Sequence, residues 1–278
     1  MQALYDIPAP AKLNLFLHIT GRRADGYHLL QSAFMLIDWC DQIHLELRKD
    51  GQISREDLTW ALPEEDLCVR AAKALQRASG SPLGVHMGIA KSVPAQAGMG
   101  GGSSDAASTL LALNRLWNLG WTQSQLAAVG LQLGADVPFF LLGQHAWVQG
   151  IGEQLTPIDL PAGRFAVLKP ESGLDTGSVF AHPDLERNTG LAIISGFAAN
   201  PYGFGRNDLQ PVAELLCPAV SEAVSWFNSQ GLPARMTGSG SAVFAPLHAE
   251  TLTHSAPGSM ALRLCNSLEA HPLQGWCA

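Results

Sequence analysis

The sequence predicts an α+β fold in two parts, and three observations support that prediction. Segments whose apolar residues alternate at every second position, as in strands, are interspersed with segments whose apolar residues recur every three or four positions, as in helices. Two prolines and a glycine cluster between residues 156 and 164, where they separate apolar stretches. The chain has 278 residues, enough for two ordinary domains. We therefore expect domains at residues 1–160 and 161–278.

Three strands are expected in the first part. Residues 12–19 alternate as in a half-buried strand, which places Lys12 and Asn14 on the same face. Similar alternation at residues 43–47 and 85–89 predicts the second and third strands. Between these two strands we expect a helix that begins at Asp66.

A run of glycine and serine, here called the glycine loop, leads directly into a helix. Apolar residues from Ala106 to Trp117 recur at spacings of four, three and four, which places them on one helix face. Glycines that admit positive φ, followed by the free amides of a helix start, form a site for an anion such as phosphate. A flexible linker is the alternative, but linkers do not usually continue into an amphipathic helix. The glycine loop comprises Pro94, Ala95, Gln96, Ala97, Gly98, Met99, Gly100, Gly101, Gly102, Ser103 and Ser104.

The glycine loop is of neither common type. A Walker A loop ends in Gly-Lys, and that dipeptide occurs nowhere in the chain. A dinucleotide fingerprint needs glycine where this loop has Ser103, and no suitable acidic residue follows about 20 residues later. A cation or base for phosphoryl chemistry must therefore come from elsewhere in the chain.

The remaining elements alternate between helix and strand. Thr122 and Gln125 form a capping box for a helix that we expect to end at Gly134, just before Asp136. The second part should hold a strand at residues 165–168, a loop-rich stretch at 170–207, a helix near Asp208, and a glycine turn at 237–242 that enters a strand. We call residues 237–242 the C-terminal turn.

Composition narrows the class of partner and compartment. The net charge of −7 argues against a broad nucleic-acid surface. Five scattered cysteines without a Cys-x-x-Cys pair favour a reducing cytoplasm. No signal peptide or long apolar segment indicates a membrane, and no histidine spacing indicates a metal site built by the protein.

Four motifs together resemble the GHMP kinase superfamily. Besides the glycine loop, they are residues 10–15 (PAKLNL), 23–28 (RADGYH) and 134–139 (GADVPF). The Asp-Gly-Tyr-His element is the most diagnostic, since it resembles a motif of the branch of that superfamily that phosphorylates 4-diphosphocytidyl-2-C-methyl-D-erythritol. The resemblance implies an N-terminal domain like domain 2 of ribosomal protein S5, a ferredoxin-like C-terminal domain, and a site between them.

The resemblance also implies a reaction and its catalytic residues. ATP with Mg²⁺ would phosphorylate the 2-hydroxyl of that substrate, a step in non-mevalonate isoprenoid precursor biosynthesis. Asp136 matches the catalytic base and Lys12 its cationic partner, while Asn14 would bind substrate or orient Lys12. From the residues alone, the favoured interpretation is that Asp136 is a helix N-cap and Lys12 a solvated strand lysine.

Further residues match the two ligand sites by resemblance. Tyr27 and His28 match a cytidine site, with Phe180 as a second aromatic side or, alternatively, a core residue. The glycine loop matches the ATP site, with Ser103 or Ser104 near the magnesium ion.

Three matches are less regular. Gln96 stands where relatives often have glycine, and Asp66 and Lys91 are candidates for adenine contacts. The C-terminal turn either lies near the phosphates or is only a turn before a strand. Another GHMP kinase, of the homoserine or mevalonate type, and a non-catalytic sensor on the same fold remain alternatives; the sequence does not indicate an oligomeric state.

Overall fold

The computed structural model describes residues 2–247, 252 and 254–277. Its strands form two sheets, and helices cover a face of each. The strands are β1 (Ala3–Arg22), β2 (His28–Arg48), β3 (Ile53–Asp57), β4 (Gly84–Ala90), β5 (Ala146–Gln149), β6 (Gln154–Pro157), β7 (Arg164–Lys169), β8 (Arg235–Met236), β9 (Val243–Leu247) and β10 (Ala261–Asn266). The helices are α1 (Leu67–Ser79), α2 (Gly101–Leu116), α3 (Gln123–Leu133), α4 (Val137–Leu142), α5 (Thr176–Ala181), α6 (Ile194–Ala198), α7 (Gln210–Leu216) and α8 (Pro218–Ser229).

The first sheet is built on a long antiparallel hairpin of β1 and β2. β2 also pairs with β4 and β5, β3 runs parallel to β4, and β6 pairs with β5. The prediction of three strands before the glycine loop missed β3, because the residues of Ile53–Asp57 are half-buried or exposed and lack apolar alternation. The register of the hairpin shifts several times, including on either side of Lys12–Asn14.

The second sheet is antiparallel in the order β10-β7-β9-β8 and packs against the first. Leu13 and Leu15 of β1 share a core cluster with Phe165 and Phe244 of the second sheet. The expectation of a half-buried first strand was therefore wrong: side chains on both faces of β1 are buried because the second sheet covers one of them. Local alternation cannot show such a distant cover.

The helix after the glycine loop is also more buried than predicted. The predicted face, from Ala106 to Trp117, is in the core, and most of the remaining residues of α2 are buried as well. The helix contacts β1, β2, α1, α3 and α4. A helix surrounded in this way is central to its domain rather than amphipathic.

Other elements agree with the sequence. Asp66 caps α1 by accepting from the Val69 amide (2.9 Å), and Thr122 and Gln125 form the predicted capping box of α3, which ends at Gly134. The strand near residue 165, the helix near Asp208 (α7) and the C-terminal turn are present. The elements that were not predicted are α4, α8, β5, β6, β8 and β10, and α5 and α6 lie in the stretch expected to be loops.

The proposed division at residue 160 stays a prediction. Residues near the end of the chain pack against the core between the first sheet and its helices, where Leu273 is buried and Trp276 is partly buried. Within the described residues, no helix is both long and apolar enough to cross a membrane.

Candidate active site

A cleft of about 940 Å³ collects the predicted site residues. Its lining comes from β1, the turn before β2, the glycine loop, the start of α4, α5 and the C-terminal turn. Ser104 is fully buried and does not line the cleft, whereas Ser103 does. The predicted residues that do line it are Lys12, Asn14, Tyr27, His28, Pro94, Ala95, Gln96, Ala97, Gly98, Met99, Gly100, Gly101, Gly102, Ser103, Asp136 and Phe180.

Lys12 lines this cleft and is buried, with only 3% of its surface exposed. Its Nζ donates to Asn14 Oδ1, lies 3.8 Å from Asp136 Oδ2, and sits 4.7 Å from the centre of the Phe34 ring. Burial lowers the pKa of Lys12, and the nearby Asp136 carboxylate acts in the opposite direction. A solvated strand lysine is therefore excluded.

Asn14 is held in place by hydrogen bonds to both parts of the chain. Its backbone amide donates to Thr237 Oγ1 (2.9 Å), and its Nδ2 donates to Ser32 Oγ (3.0 Å). With Nδ2 engaged in this way, Oδ1 is left to accept from Lys12. Sequence reasoning missed Thr237, although its place directly before Gly238 was a signal.

Asp136 directly precedes α4 but does not cap it. Its side chain makes no capping hydrogen bond, and Pro138 in the first turn lacks an amide to donate. The carboxylate lies beside Lys12 with 31% of the side chain exposed. It is therefore available to a ligand in the cleft, which a capping role would not require.

The C-terminal turn stabilises the glycine loop. Ser241 N–H donates to the Gln96 carbonyl (3.0 Å), and Ala242 N–H donates to the Ala97 carbonyl (3.3 Å). Gly98 has φ +71°, and a Cβ there would overlap the Thr237 carbonyl oxygen. The turn is thus more than the entry to β9: it fixes the path of the loop.

Gln96 is compatible with this path, although its backbone is unusual. Its φ of +50° lies in the left-handed region, which explains why glycine would suit the position. Its side chain extends toward Gly173, where even an added Cβ would overlap it. The long side chain therefore leaves the loop toward the segment that precedes α5.

Behind the glycine loop lies a buried group of three ionisable side chains. Lys91 Nζ donates to Asp41 and, at 2.5 Å, to Asp105, while Asp41 Oδ1 accepts from the Ser92 and Val93 amides that lead into the loop. Burial raises the pKa of Asp105 to about 8, and the charge on Lys91 opposes that rise. The group connects α2 to the chain just before the loop.

The two candidates for adenine contacts both have protein partners. Lys91 is engaged as described, and Asp66 caps α1 and pairs with Arg55 (3.0 Å). Their contact with adenine stays a prediction, and neither side chain lines the cleft.

Two aromatic rings that line the cleft, one from each part of the chain, lie close together. The His28 and Phe180 rings are 5.1 Å apart at 36°, and Tyr27 beside them is 61% exposed. Arg187 Nε donates to His28 Nε2 (3.1 Å). Burial lowers the pKa of His28, as do the charges of Arg187 and Arg22. Sequence reasoning missed Arg187, because nothing local in residues 170–207 marks it.

Comparison with known proteins identifies the family. A model of the GHMP kinases N terminal domain matches residues 66–144, and a model of the GHMP kinases C terminal region matches residues 192–262. A 4-diphosphocytidyl-2-C-methyl-D-erythritol kinase from Albidiferax ferrireducens is 66% identical over 99% of this chain and 96% of its own length. The chain belongs to the 4-diphosphocytidyl-2-C-methyl-D-erythritol kinase family. The kinase of that name from Acidovorax sp. (strain JS42) is 61% identical over 99% of both chains.

Solved structures share the fold of this chain, and one of them is a kinase of this name. A crystal structure of 4-(cytidine 5'-diphospho)-2C-methyl-D-erythritol kinase has a TM-score of 0.74 and 35% identity, covering 86% of this chain and 88% of its own. A homoserine kinase from Cytophaga hutchinsonii has a TM-score of 0.72 at 14% identity, covering 98% of this chain and 96% of its own, which shows a shared fold. The GHMP kinase fold predicted from the motifs is confirmed.

Proposed function

We propose that the chain transfers the γ-phosphoryl group of ATP to the 2-hydroxyl of 4-diphosphocytidyl-2-C-methyl-D-erythritol. The observation that carries this proposal is the Lys12–Asp136 pair, 3.8 Å apart, in a cleft with the glycine loop and the His28–Phe180 rings. Such a cleft can hold a nucleoside triphosphate and a cytidine-bearing substrate with the reacting groups near the pair. Relatives that carry this kinase's name match nearly the whole chain.

Asp136 and Lys12 would divide the chemistry between them. The Asp136 carboxylate accepts the proton of the attacking hydroxyl. At the same time the hydroxyl oxygen bonds to the γ-phosphorus, and the bond between that phosphorus and the ADP leaving group breaks. The buried Lys12 ammonium offsets negative charge that develops on the transferred group, because a fixed charge acts strongly where water is excluded. Asn14 and Thr237 keep Lys12 in position from opposite parts of the chain.

The glycine loop has the features of a polyphosphate site. α2 is a 16-residue helix whose first amides, at Gly101 and after, have no partner within the helix. Gly100 also has φ +71°, and a Cβ there would crowd Phe140 and Lys12. ATP would supply the phosphoryl group, and Mg²⁺ would arrive with it, with the Ser103 hydroxyl at hand in the cleft.

The remaining partners follow from charge and chemistry. We propose that the enzyme is cytoplasmic, since its five cysteines are free. We also propose that its partners are small molecules and not nucleic acid, since its net charge is −7. Within the described residues, no group of three or more His, Cys, Asp or Glu side chains could hold a metal ion.

An assay of ADP release tests this function. Purified protein with ATP and Mg²⁺ should turn over the cytidylyl substrate, and hardly at all homoserine or mevalonate. Turnover of either of these without the cytidylyl substrate would reassign the chain to another GHMP activity. Binding of ATP with no turnover of any of the three would indicate a sensor. A ³¹P NMR spectrum of the product should show a new phosphomonoester in addition to the diphosphate.

A further inference from the structure

Lys169, at the end of β7, is a buried lysine that the proposed chemistry does not use. Only 5% of its surface is exposed. Its Nζ donates to the Pro170 carbonyl (2.5 Å) and to the Ser172 carbonyl (3.0 Å). Both carbonyls belong to residues 170–175, which connect β7 to α5 and which we call the α5 connector. Among the residues that the structure describes, no carboxylate pairs with this ammonium, and burial lowers its pKa.

The α5 connector contacts the glycine loop and the C-terminal turn. The Ser172 carbonyl accepts a second hydrogen bond, from Ser241 Oγ (2.5 Å). Gly173 packs against the side chain of Gln96 so closely that an added Cβ would lie 2.1 Å from Gln96 Oε1. The backbone of Ser241 in turn donates to the Gln96 carbonyl. The connector therefore supports the segment at which the glycine loop begins.

The same connector leads directly into α5, the helix that carries Phe180 in the proposed cytidine site. Asp175, its last residue, caps α5 and lines the cleft. Thr176 Oγ1 and Ser239 Oγ lie 2.7 Å apart, which joins the first residue of α5 to the C-terminal turn. The position of α5 and the support of Gln96 thus depend on one short segment.

A segment that supports two binding sites links their energetics. Ordering a mobile segment costs conformational free energy, and the first ligand that needs the segment must supply it. A second ligand that needs the same segment then binds more tightly. If a fixed donor orders the segment in advance, neither ligand bears that cost, and this source of coupling is absent. The Lys169 ammonium is such a donor, because it holds two carbonyls of the connector at once.

We propose that Lys169 is a positioning residue that orders the α5 connector in advance for both ligands, ATP at the glycine loop and the cytidylyl substrate beside α5. This inference rests on the proposed function, since it assumes that the two ligands occupy those places. It extends that function by assigning the preorganisation of both sites to a residue that does not line the cleft. Lys169 acts through the Pro170 and Ser172 carbonyls and touches neither ligand.

A comparison of singly and doubly liganded protein tests this role. Lys169→Met removes the donor and keeps a side chain of similar length. Ser241→Ala removes the other donor to the Ser172 carbonyl. Lys73→Met removes the same charge from an exposed pair with Glu65 and is the matched control. For each protein, calorimetry measures the affinity of cytidine 5′-diphosphate with and without a saturating concentration of the magnesium complex of adenosine 5′-(β,γ-imido)triphosphate. The ratio of these two affinities measures the coupling between the ligands, which is reciprocal.

The coupling is the decisive quantity, because a merely structural defect would weaken binding without linking the two ligands. In Lys169→Met we expect each ligand alone to bind about fivefold or more weakly than in wild type, and the other ligand to restore most of that affinity. Ser241→Ala should change the coupling in the same direction by a smaller factor, and Lys73→Met should match wild type. A urea titration without ligand confirms that each variant is folded, so that coupling does not arise from refolding.

Several outcomes would overturn the inference. They are unaltered affinities in Lys169→Met, weakening of one ligand only, and weakening of both with the coupling of wild type. Wild type offers a measurement that needs no variant: without ligand, the ¹⁵N order parameters of residues 171–175 should equal those of β7, about 0.85, and values below about 0.6 would overturn the inference even if Lys169→Met failed to fold. Normal turnover of the cytidylyl substrate by wild type would then leave the proposed function standing. Absence of that turnover would overturn the proposed function, and the inference with it.

Discussion

The substitution Asp136→Asn tests the proposed chemistry most directly. It keeps the shape of the side chain but removes the proton acceptor and one charge. General-base catalysis contributes about 10²–10⁴-fold, so we expect kcat to fall by at least about 100-fold. Because the side chain does not cap α4 and is not part of the glycine loop proposed to bind ATP, the KM for ATP should change little.

The same substitution should also shift the pH at which activity is lost, and the structure indicates that the shift is to lower pH. Burial lowers the pKa of Lys12, and Asp136 at 3.8 Å partly offsets this. At that distance the attraction is about 4 kcal/mol at an effective dielectric constant of about 20, less here because Asp136 is 31% exposed. Lys12 is charged below its pKa, so activity should fall as pH rises through that value. Without Asp136 the pKa falls further, and the residual activity should be lost at a lower pH than in wild type.

Steady-state kinetics of ADP release between about pH 6 and 10, below the ordinary lysine pKa of about 10.4, measure both effects. Asp50→Asn makes the same chemical change in an exposed pair with Arg48 and should leave kcat unaltered. A kcat for Asp136→Asn within about threefold of wild type would refute the assignment of the base, since general-base catalysis is worth far more. An alkaline limb that did not move would refute the electrostatic link between Lys12 and Asp136.

Three further substitutions test other parts of the site. Tyr27→Ala should raise the KM of the cytidylyl substrate about tenfold while leaving that of ATP unchanged, since stacking on a base is worth about 1–3 kcal/mol; equal effects on both would place Tyr27 outside the cytidine site. Gly98→Ala should raise the KM of ATP at least about tenfold, because its Cβ would overlap Thr237, whereas Gly120→Ala, with similar φ (+67°) but open space, should cost only about 1 kcal/mol of stability in a urea titration. Lys91→Met leaves Asp41 and Asp105 buried without their cation and should lower the free energy of unfolding by about 3–5 kcal/mol. The control Lys73→Met, in an exposed pair, should lower it by about 1 kcal/mol or less. Similar losses for the two lysines would contradict the argument from burial.

Local sequence was sufficient wherever a short motif determines geometry. The capping box at Thr122 and Gln125 and the cap at Asp66 satisfy amides within three residues, so the pattern alone reveals them. The glycine loop is of the same kind, because glycines and a helix start in one segment already imply an anion site.

The residues missed by sequence reasoning act over long separations. Thr237 contacts Asn14 across 223 positions, and Arg187 contacts His28 across 159. Neither contact can be read locally, even though Thr237 stands directly before Gly238, since each joins distant parts of the chain. The burial of Lys12 was also hidden from local sequence: the alternation of β1 indicated an exposed face, whereas in the fold Lys12 packs against Phe34, Asp136 and the glycine loop.

The hydrogen bonds between the glycine loop and the C-terminal turn also bear on how the protein acquires its activity. The loop at residues 94–104 is synthesised early, but Gln96 and Ala97 gain their backbone partners only when Ser241 and Ala242 have emerged and the second sheet has formed. Contacts between such distant segments form late in folding. Tight binding of a nucleotide would therefore report on completed folding of the whole chain, and a nascent chain that lacks the last part would leave the loop untethered.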